Sequence, residues 1–303
     1  MLGSCNPRLS NCIGLLKKPS IPQKNMKRFN LIYAVIIGCM VACSTPKQAE
    51  EKTSEEDQTV YKEAGPSGEV IYSADTISMN GYFAHNQEGE TKVPGILVIH
   101  EWWGHNDYAR QRADMLGALG YVALAVDMYG DGKVAAHPED AGKFAGMVMR
   151  DLPSAKARFE AAMNTLKNHP NVDPESIAAI GYCFGGSVAL SMANAGYDLD
   201  AVAAFHSGVG LPIQAEAKPS AKILVCNGAD DPFVSPESIE AFKANMDGVE
   251  ADYTYISYPG AVHSFTSKEA DANGEKFGLP LAYNAEADSA SWEEMKALFA
   301  SAF

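Results

Sequence analysis

The run Gly181-Tyr182-Cys183-Phe184-Gly185-Gly186 places a thiol among small residues, after an apolar segment and before a small-residue helical pattern. A nucleophile on a sharp strand-to-helix turn needs such glycines, because side chains two residues to either side would collide with the adjoining strand and helix. A cysteine there also sits at a helix N-terminus, where the backbone dipole favours a thiolate. Downstream, Cys226-Asn227-Gly228-Ala229-Asp230-Asp231-Pro232-Phe233-Val234 closes a second apolar run with an acid pair. Tyr258-Pro259-Gly260-Ala261-Val262-His263-Ser264-Phe265 sets a histidine in a loop after a third run. Cys183, Asp231 and His263 therefore stand at strand ends in the order nucleophile, acid, histidine. That set suits acyl transfer: the histidine takes the thiol proton, and the acid fixes the ring tautomer. Each piece also has an ordinary reading, as a buried cysteine, a turn aspartate and a solvated histidine. Their order along the chain is what argues for catalysis.

The elements that must position these residues alternate in type. Gly95–His100, Tyr121–Val126, Ser176–Gly181, Ala201–Phe205, Ala221–Cys226 and Tyr253–Ser257 read as strands, and the continuous apolar runs among them suit a sheet covered on both faces. Helical patterns fill Asn106–Leu119, Leu152–Asn168, Gly185–Ala195, Pro236–Met246 and Ala287–Ala302. In the first of these, Leu116 and Leu119 are spaced to share a face; in the second, Phe159, Met163 and Leu166 form a stripe. Val70–Ala84 reads as an antiparallel lead-in. Strand–helix alternation of this kind predicts an α/β protein with a mostly parallel sheet and helices on both faces, and with the nucleophile turn it predicts the α/β-hydrolase fold.

From about Val70 to the C-terminus the chain resembles the dienelactone hydrolase family, most specifically in the Cys183 turn, the Asp231-x-x-Val234 turn and the Gly260-x-x-His263-x-Phe265 turn. The resemblance selects Asp231 as the acid and leaves Asp230 as a turn residue. It extends to Ile99-His100-Glu101-Trp102-Trp103-Gly104. There it implies a glutamate, Glu101, that touches the nucleophilic thiol in the resting enzyme. It also implies an oxyanion hole formed by the backbone N–H groups of Trp102 and Phe184. A strand-end acid paired with Arg110 or Arg112 is the other reading of Glu101. Family members that open dienelactones clamp the substrate carboxylate with arginines, one of them shortly after the histidine. Here that stretch is His263-Ser264-Phe265-Thr266-Ser267-Lys268, with no arginine, and Lys268 offers only a point charge. A neutral ester, lactone or thioester is then at least as good a candidate, with Trp102, Trp103, Tyr129 and Phe184 available to line an apolar pocket.

The chain carries 24 basic and 38 acidic residues, for a formal charge of −14. Nucleic-acid binding needs a basic face, so the balance argues against it. The histidines show no i, i+4 pair and the cysteines no CxxC, so neither a metal nor a cofactor is expected. Met26-Lys27-Arg28 precedes an apolar stretch from Leu31 to Cys43 of about 13 residues. That is short of the roughly 20 needed to span a bilayer and fits an export signal. Met40-Val41-Ala42-Cys43 resembles a bacterial lipobox, which implies lipidation at Cys43; an ordinary cleaved signal is the alternative. Residues 1–25 are unlike an export signal, so translation is expected to start at Met26. Residues 44–67 are too polar to bury a core and read as an acidic tether. The expected organisation is a leader over 1–43, a tether over 44–67 and a catalytic domain over 68–303, exported, lipid-anchored in the cell envelope and monomeric. Thioesterase or acyltransferase activity on the same three residues, or a non-catalytic binding lipoprotein, are the competing functions.

Overall fold

The computed structural model describes residues 67–87 and 91–303. The leader, Cys43 and the tether up to residue 66 lie outside them. The described chain opens with strands β1 (Ser67–Ala74) and β2 (Ile77–Ala84), an antiparallel hairpin running from Ser67 opposite Ala84 to Ala74 opposite Ile77. It continues with β3 (Val93–Ile99), α1 (Asp107–Ala118), β4 (Val122–Val126), α2 (Pro138–Arg150), α3 (Leu152–Lys167), β5 (Val172–Tyr182), α4 (Phe184–Asn194) and β6 (Ala201–Phe205). It ends with β7 (Lys222–Gly228), α5 (Pro236–Gly248), β8 (Tyr253–Tyr258), α6 (Ala270–Phe277) and α7 (Ala285–Ala302).

These strands form one eight-stranded sheet in the order β1-β2-β4-β3-β5-β6-β7-β8, antiparallel at β1–β2 and β2–β4 and parallel from β4 onward. Every residue of β4 and β6 is buried, as continuous apolar runs require when helices cover both faces. Alternate side chains feed two cores. Leu97 and Ile99 pack with Phe159, Leu166, Val188 and Phe242, under α3, α4 and α5. Ile96 and Val98 pack with Leu116, Trp292, Met295 and Phe299, under α1 and α7. Each fully buried Leu, Ile or Phe of these layers is worth roughly 1.5–3 kcal/mol over exposure.

Caps set the helix starts. Asn106 accepts from the Ala109 amide, Asp151 from Ser154, Ser235 from Ser238 and Asn284 from Ala287. The expected Leu116–Leu119 face is half right: Leu116 is buried, but Leu119 is the C-cap of α1, where the chain turns away, and is exposed. Among the described residues no helix is long and apolar enough to cross a membrane.

Candidate active site

The sheet's parallel strands deliver their C-terminal ends to one edge, and the three chemistry-bearing residues meet there. Cys183 follows β5 and is the N-cap of α4, at φ 54° and ψ −117°. A non-glycine residue at positive φ is strained, and the strain survives because the surroundings leave no alternative. A Cβ on Gly181 would overlap the Gly185 carbonyl, and one on Gly185 would overlap the carbonyl of Ile99 in β3. The amide of Cys183 donates to Phe205 O of β6 at 2.9 Å, and the side chain remains partly accessible. Cys183 and Cys226 are both free, and burial pushes the Cys226 thiol up to about 12.

Asp231 lies in the loop after β7 and is buried. Its Oδ1 accepts from the Phe233 amide at 2.8 Å, and its Oδ2 lies 2.8 Å from His263 Nδ1. Asp230 is a turn residue, accepting from the Gly260 amide at 3.1 Å. His263, in the loop after β8, is wedged beneath Phe233, which packs edge-on at 5.1 Å. Burial opposes a charged imidazole at this position. Cys183 beside the ring, with the hydrogen bond from the ring to Asp231, outweighs it and raises His263 to about 10.

The turn after β3 is pinned carbonyl by carbonyl. Glu101 O accepts from the Gly104 amide at 3.1 Å and lies 2.5 Å from His100 Nδ1. Trp102 O accepts from Tyr129 Oη at 2.9 Å, and Trp103 O accepts from the Ala135 amide at 2.8 Å. His100 Nε2 accepts from the Met128 amide at 3.2 Å, so Nδ1 carries the proton toward Glu101 O; burial lowers this histidine and keeps it neutral. Arg158 from α3 in turn donates to the carbonyls of Met128 and Tyr129. The amides of Trp102 and Phe184 have no acceptor among the described residues, and Phe184, as the first residue of α4, has none within its helix.

Glu101 is buried, and its carboxylate takes a hydrogen bond from Ser264 Oγ at 3.0 Å, not from the Cys183 thiol. Burial pushes this carboxyl up. Neither arginine claims it: Arg110 pairs with Glu69, and Arg112 with Asp288 at 2.7 Å. Trp103 and Tyr129, expected to line the pocket, are buried. Trp103 turns inward against Phe277 of α6, Ala135 and Ala141, and the Tyr129 hydroxyl is taken by Trp102 O. The apolar groups left at the surface here are half-buried Trp102 and exposed Phe233. Sequence reading missed His100, His206 and Thr266, whose partners lie on other segments. Grooves between β8 and α7 and between β1 and α3 share no residue with this site. Among the described residues no cluster of His, Cys, Asp and Glu is arranged for a metal ion.

A glycine-flanked strand-to-helix turn between β5 and α4, on a mostly parallel sheet of this order, is the architecture of an α/β-hydrolase. The chain belongs to the dienelactone hydrolase family, whose model matches residues 79–303. It is similar to Protein usf of Aquifex pyrophilus, 30% identical over 67% of this chain and 88% of that protein. It is also similar to the carboxymethylenebutenolidase of Pseudomonas putida, 27% identical over 56% of this chain and 78% of that protein. A solved dienelactone hydrolase-like promiscuous phosphotriesterase from metagenomic libraries superposes with a TM-score of 0.72, at 34% identity over 79% of this chain and 99% of that one. The protein is accordingly a carboxylic ester hydrolase of this family.

Proposed function

We propose that the protein cleaves a neutral ester or lactone through an acyl-enzyme on Cys183, with His263 as base and acid and Asp231 holding its tautomer. The observation that carries this reading is His263 itself, bound to Asp231 at 2.8 Å through Nδ1, with Cys183 beside the ring. Cys183 gives its proton to His263, which leaves a thiolate at the N-terminus of α4, where the helix dipole supports it. The thiolate attacks the acyl carbon, and the carbonyl π pair moves onto oxygen. The amides of Phe184 and Trp102 receive that oxyanion, each worth roughly 3 kcal/mol in comparable sites. Collapse expels the alkoxide, which takes its proton from His263. Water, deprotonated by His263, then attacks the thioester, and the acid and thiolate are released.

The neutral-substrate reading rests on the stretch after His263, where Ser267 and exposed Lys268 stand in place of an arginine clamp, and on the apolar Trp102 and Phe233 at the surface. The test is hydrolysis of p-nitrophenyl acetate and of an uncharged enol-lactone by the wild type and by Cys183→Ala. Turnover that disappears in a folded Cys183→Ala variant is expected; equal turnover by both would overturn the assignment. The same reading has the enzyme tethered through a lipid on Cys43, resting on the leader sequence. Incorporation of labelled palmitate that is lost in Cys43→Ala is its check.

A further inference from the structure

Behind His263 lies a buried imidazole that the acyl-transfer chemistry does not use. His206 follows β6 directly, and its amide donates to Cys226 O at 2.8 Å. The residue is fully buried at φ 38°, a backbone conformation non-glycine residues rarely adopt. Its ring packs edge-on against His263 at 5.3 Å and against Phe265 at 5.4 Å. Nε2 lies 2.7 Å from Thr266 Oγ1 and 3.9 Å from Glu101 Oε1. From Thr266 a chain of polar contacts leads to the scaffold. Thr266 Oγ1 is 2.6 Å from Tyr108 Oη, which accepts from Arg112 Nε at 3.3 Å; Arg112 also donates to Thr266 O at 2.5 Å and pairs with Asp288 of α7.

All members of this chain are buried or nearly so, and an apolar ring would fill the space behind His263 without the cost of burying nitrogen. What an apolar ring cannot supply is an orientation. The hydrogen bond to Thr266 fixes the rotation of the His206 ring, and His263 packs against that ring as it does against Phe233.

We propose that His206 is a positioning residue for catalysis: locked by Thr266, Tyr108 and Arg112, it props the His263 ring against Cys183. The proposal rests on the Cys183–His263 pair assigned above. It predicts that packing alone is insufficient and that the Nε2–Thr266 bond carries the effect.

The test compares His206→Phe, which keeps a ring and loses Nε2, with Thr266→Val, which keeps shape and loses Oγ1, and with their double variant and His206→Gln. Two readouts are taken: ester turnover, and the pH dependence of Cys183 alkylation by iodoacetamide, which needs no substrate. Each single change is expected to lower kcat about tenfold with KM within about twofold, and the double variant to be no worse than the worse single one. Alkylation near neutral pH should slow in parallel, and His206→Gln should recover part of both. Folding is checked by melting, with Thr266→Val as the mildest change. Wild-type kcat and an unchanged alkylation profile in Thr266→Val and His206→Phe would overturn the proposal, as would independent, multiplying losses. If instead the wild type itself alkylates like an ordinary thiol, with a midpoint near about 8.5, the Cys183–His263 assignment is what fails.

Discussion

His100 Nδ1 lies 2.5 Å from the carbonyl oxygen of Glu101, and that carbonyl belongs to the same planar peptide unit as the amide of Trp102. Holding the oxygen therefore aims the N–H on the opposite side of the plane. The Gly104 amide binds the same oxygen, while Tyr129 and Ala135 fix the next two carbonyls. The candidate oxyanion donor is thus set before any substrate arrives, which is the condition under which such a donor is effective.

Replacing His100 by Phe keeps the ring volume beside Tyr129 and Phe184 but removes the donor to Glu101 O. The expected result is a fall in kcat of about ten- to a hundredfold with little change in KM, the pattern of a group whose stabilisation appears only in the transition state. Alkylation of Cys183 should stay at the wild-type rate, because the thiol–imidazole pair is untouched. A variant that loses both together would place His100 in the nucleophile's support instead.

The adjacent acids offer an internal control. Asp231 Oδ2 holds His263 at 2.8 Å, whereas Asp230 only accepts the Gly260 amide at the surface. Asp231→Asn leaves the shape but favours the wrong ring tautomer, so kcat should drop by roughly a hundredfold or more, while Asp230→Asn should cost less than about threefold. Steady-state kinetics on the two variants with one ester settle the choice; comparable losses would remove the distinction drawn between them.

Much of this site was legible in the sequence because its signals are local. Glycines two residues either side of Cys183 and an acid and a histidine after successive strands are written in short windows, and the alternation of elements gave the sheet. Helices α2 and α6 were not read. The stripe of α2, through Ala141, Phe144, Ala145, Val148 and Met149, is broken by Gly142 and Gly146, and α6 spans eight residues before Gly278 ends it in the left-handed region. Missing α6 also misplaced Trp103, since Phe277 is what draws that ring inward. Glu101 could not be assigned to Ser264, nor His206 to Thr266, from local pattern: the partners lie 163 and 60 residues apart and meet only through the sheet order.

The charge state of His263 makes stability depend on pH in a definite direction. Burial opposes the charge, but Cys183 and Asp231 raise the ring to about 10, above its ordinary value near 6.5. A raised value means the folded state holds the proton more tightly, so this contribution is complete below about pH 6.5 and is lost as pH rises through about 10. Cys183→Ala removes the largest charge partner. Wild type should therefore exceed Cys183→Ala in melting temperature by more at neutral pH than at about pH 10.5, as read by calorimetry. A gap that stays constant would mean that Cys183 does not set the charge of His263.

His105 makes the opposite case. It is 3% exposed, and neither ring nitrogen has a hydrogen-bond partner among the described residues. Burial, helped by His100 and Arg110, lowers it to about 4. The unfolded chain takes up a proton near about 6.5 that the folded one refuses, so stability present above that value is lost as pH falls toward about 4, by roughly 3 kcal/mol in all. His105→Leu removes both the unpaired nitrogens and this titration. It should stabilise the protein by about 1 kcal/mol at neutral pH and by more at about pH 5, read from denaturant midpoints at the two values. Catalysis should be unaffected, since His105 contacts none of Cys183, Asp231 or His263. Destabilisation by Leu at both pH values would show that the imidazole is paired in solution and that its burial is not a cost to the fold.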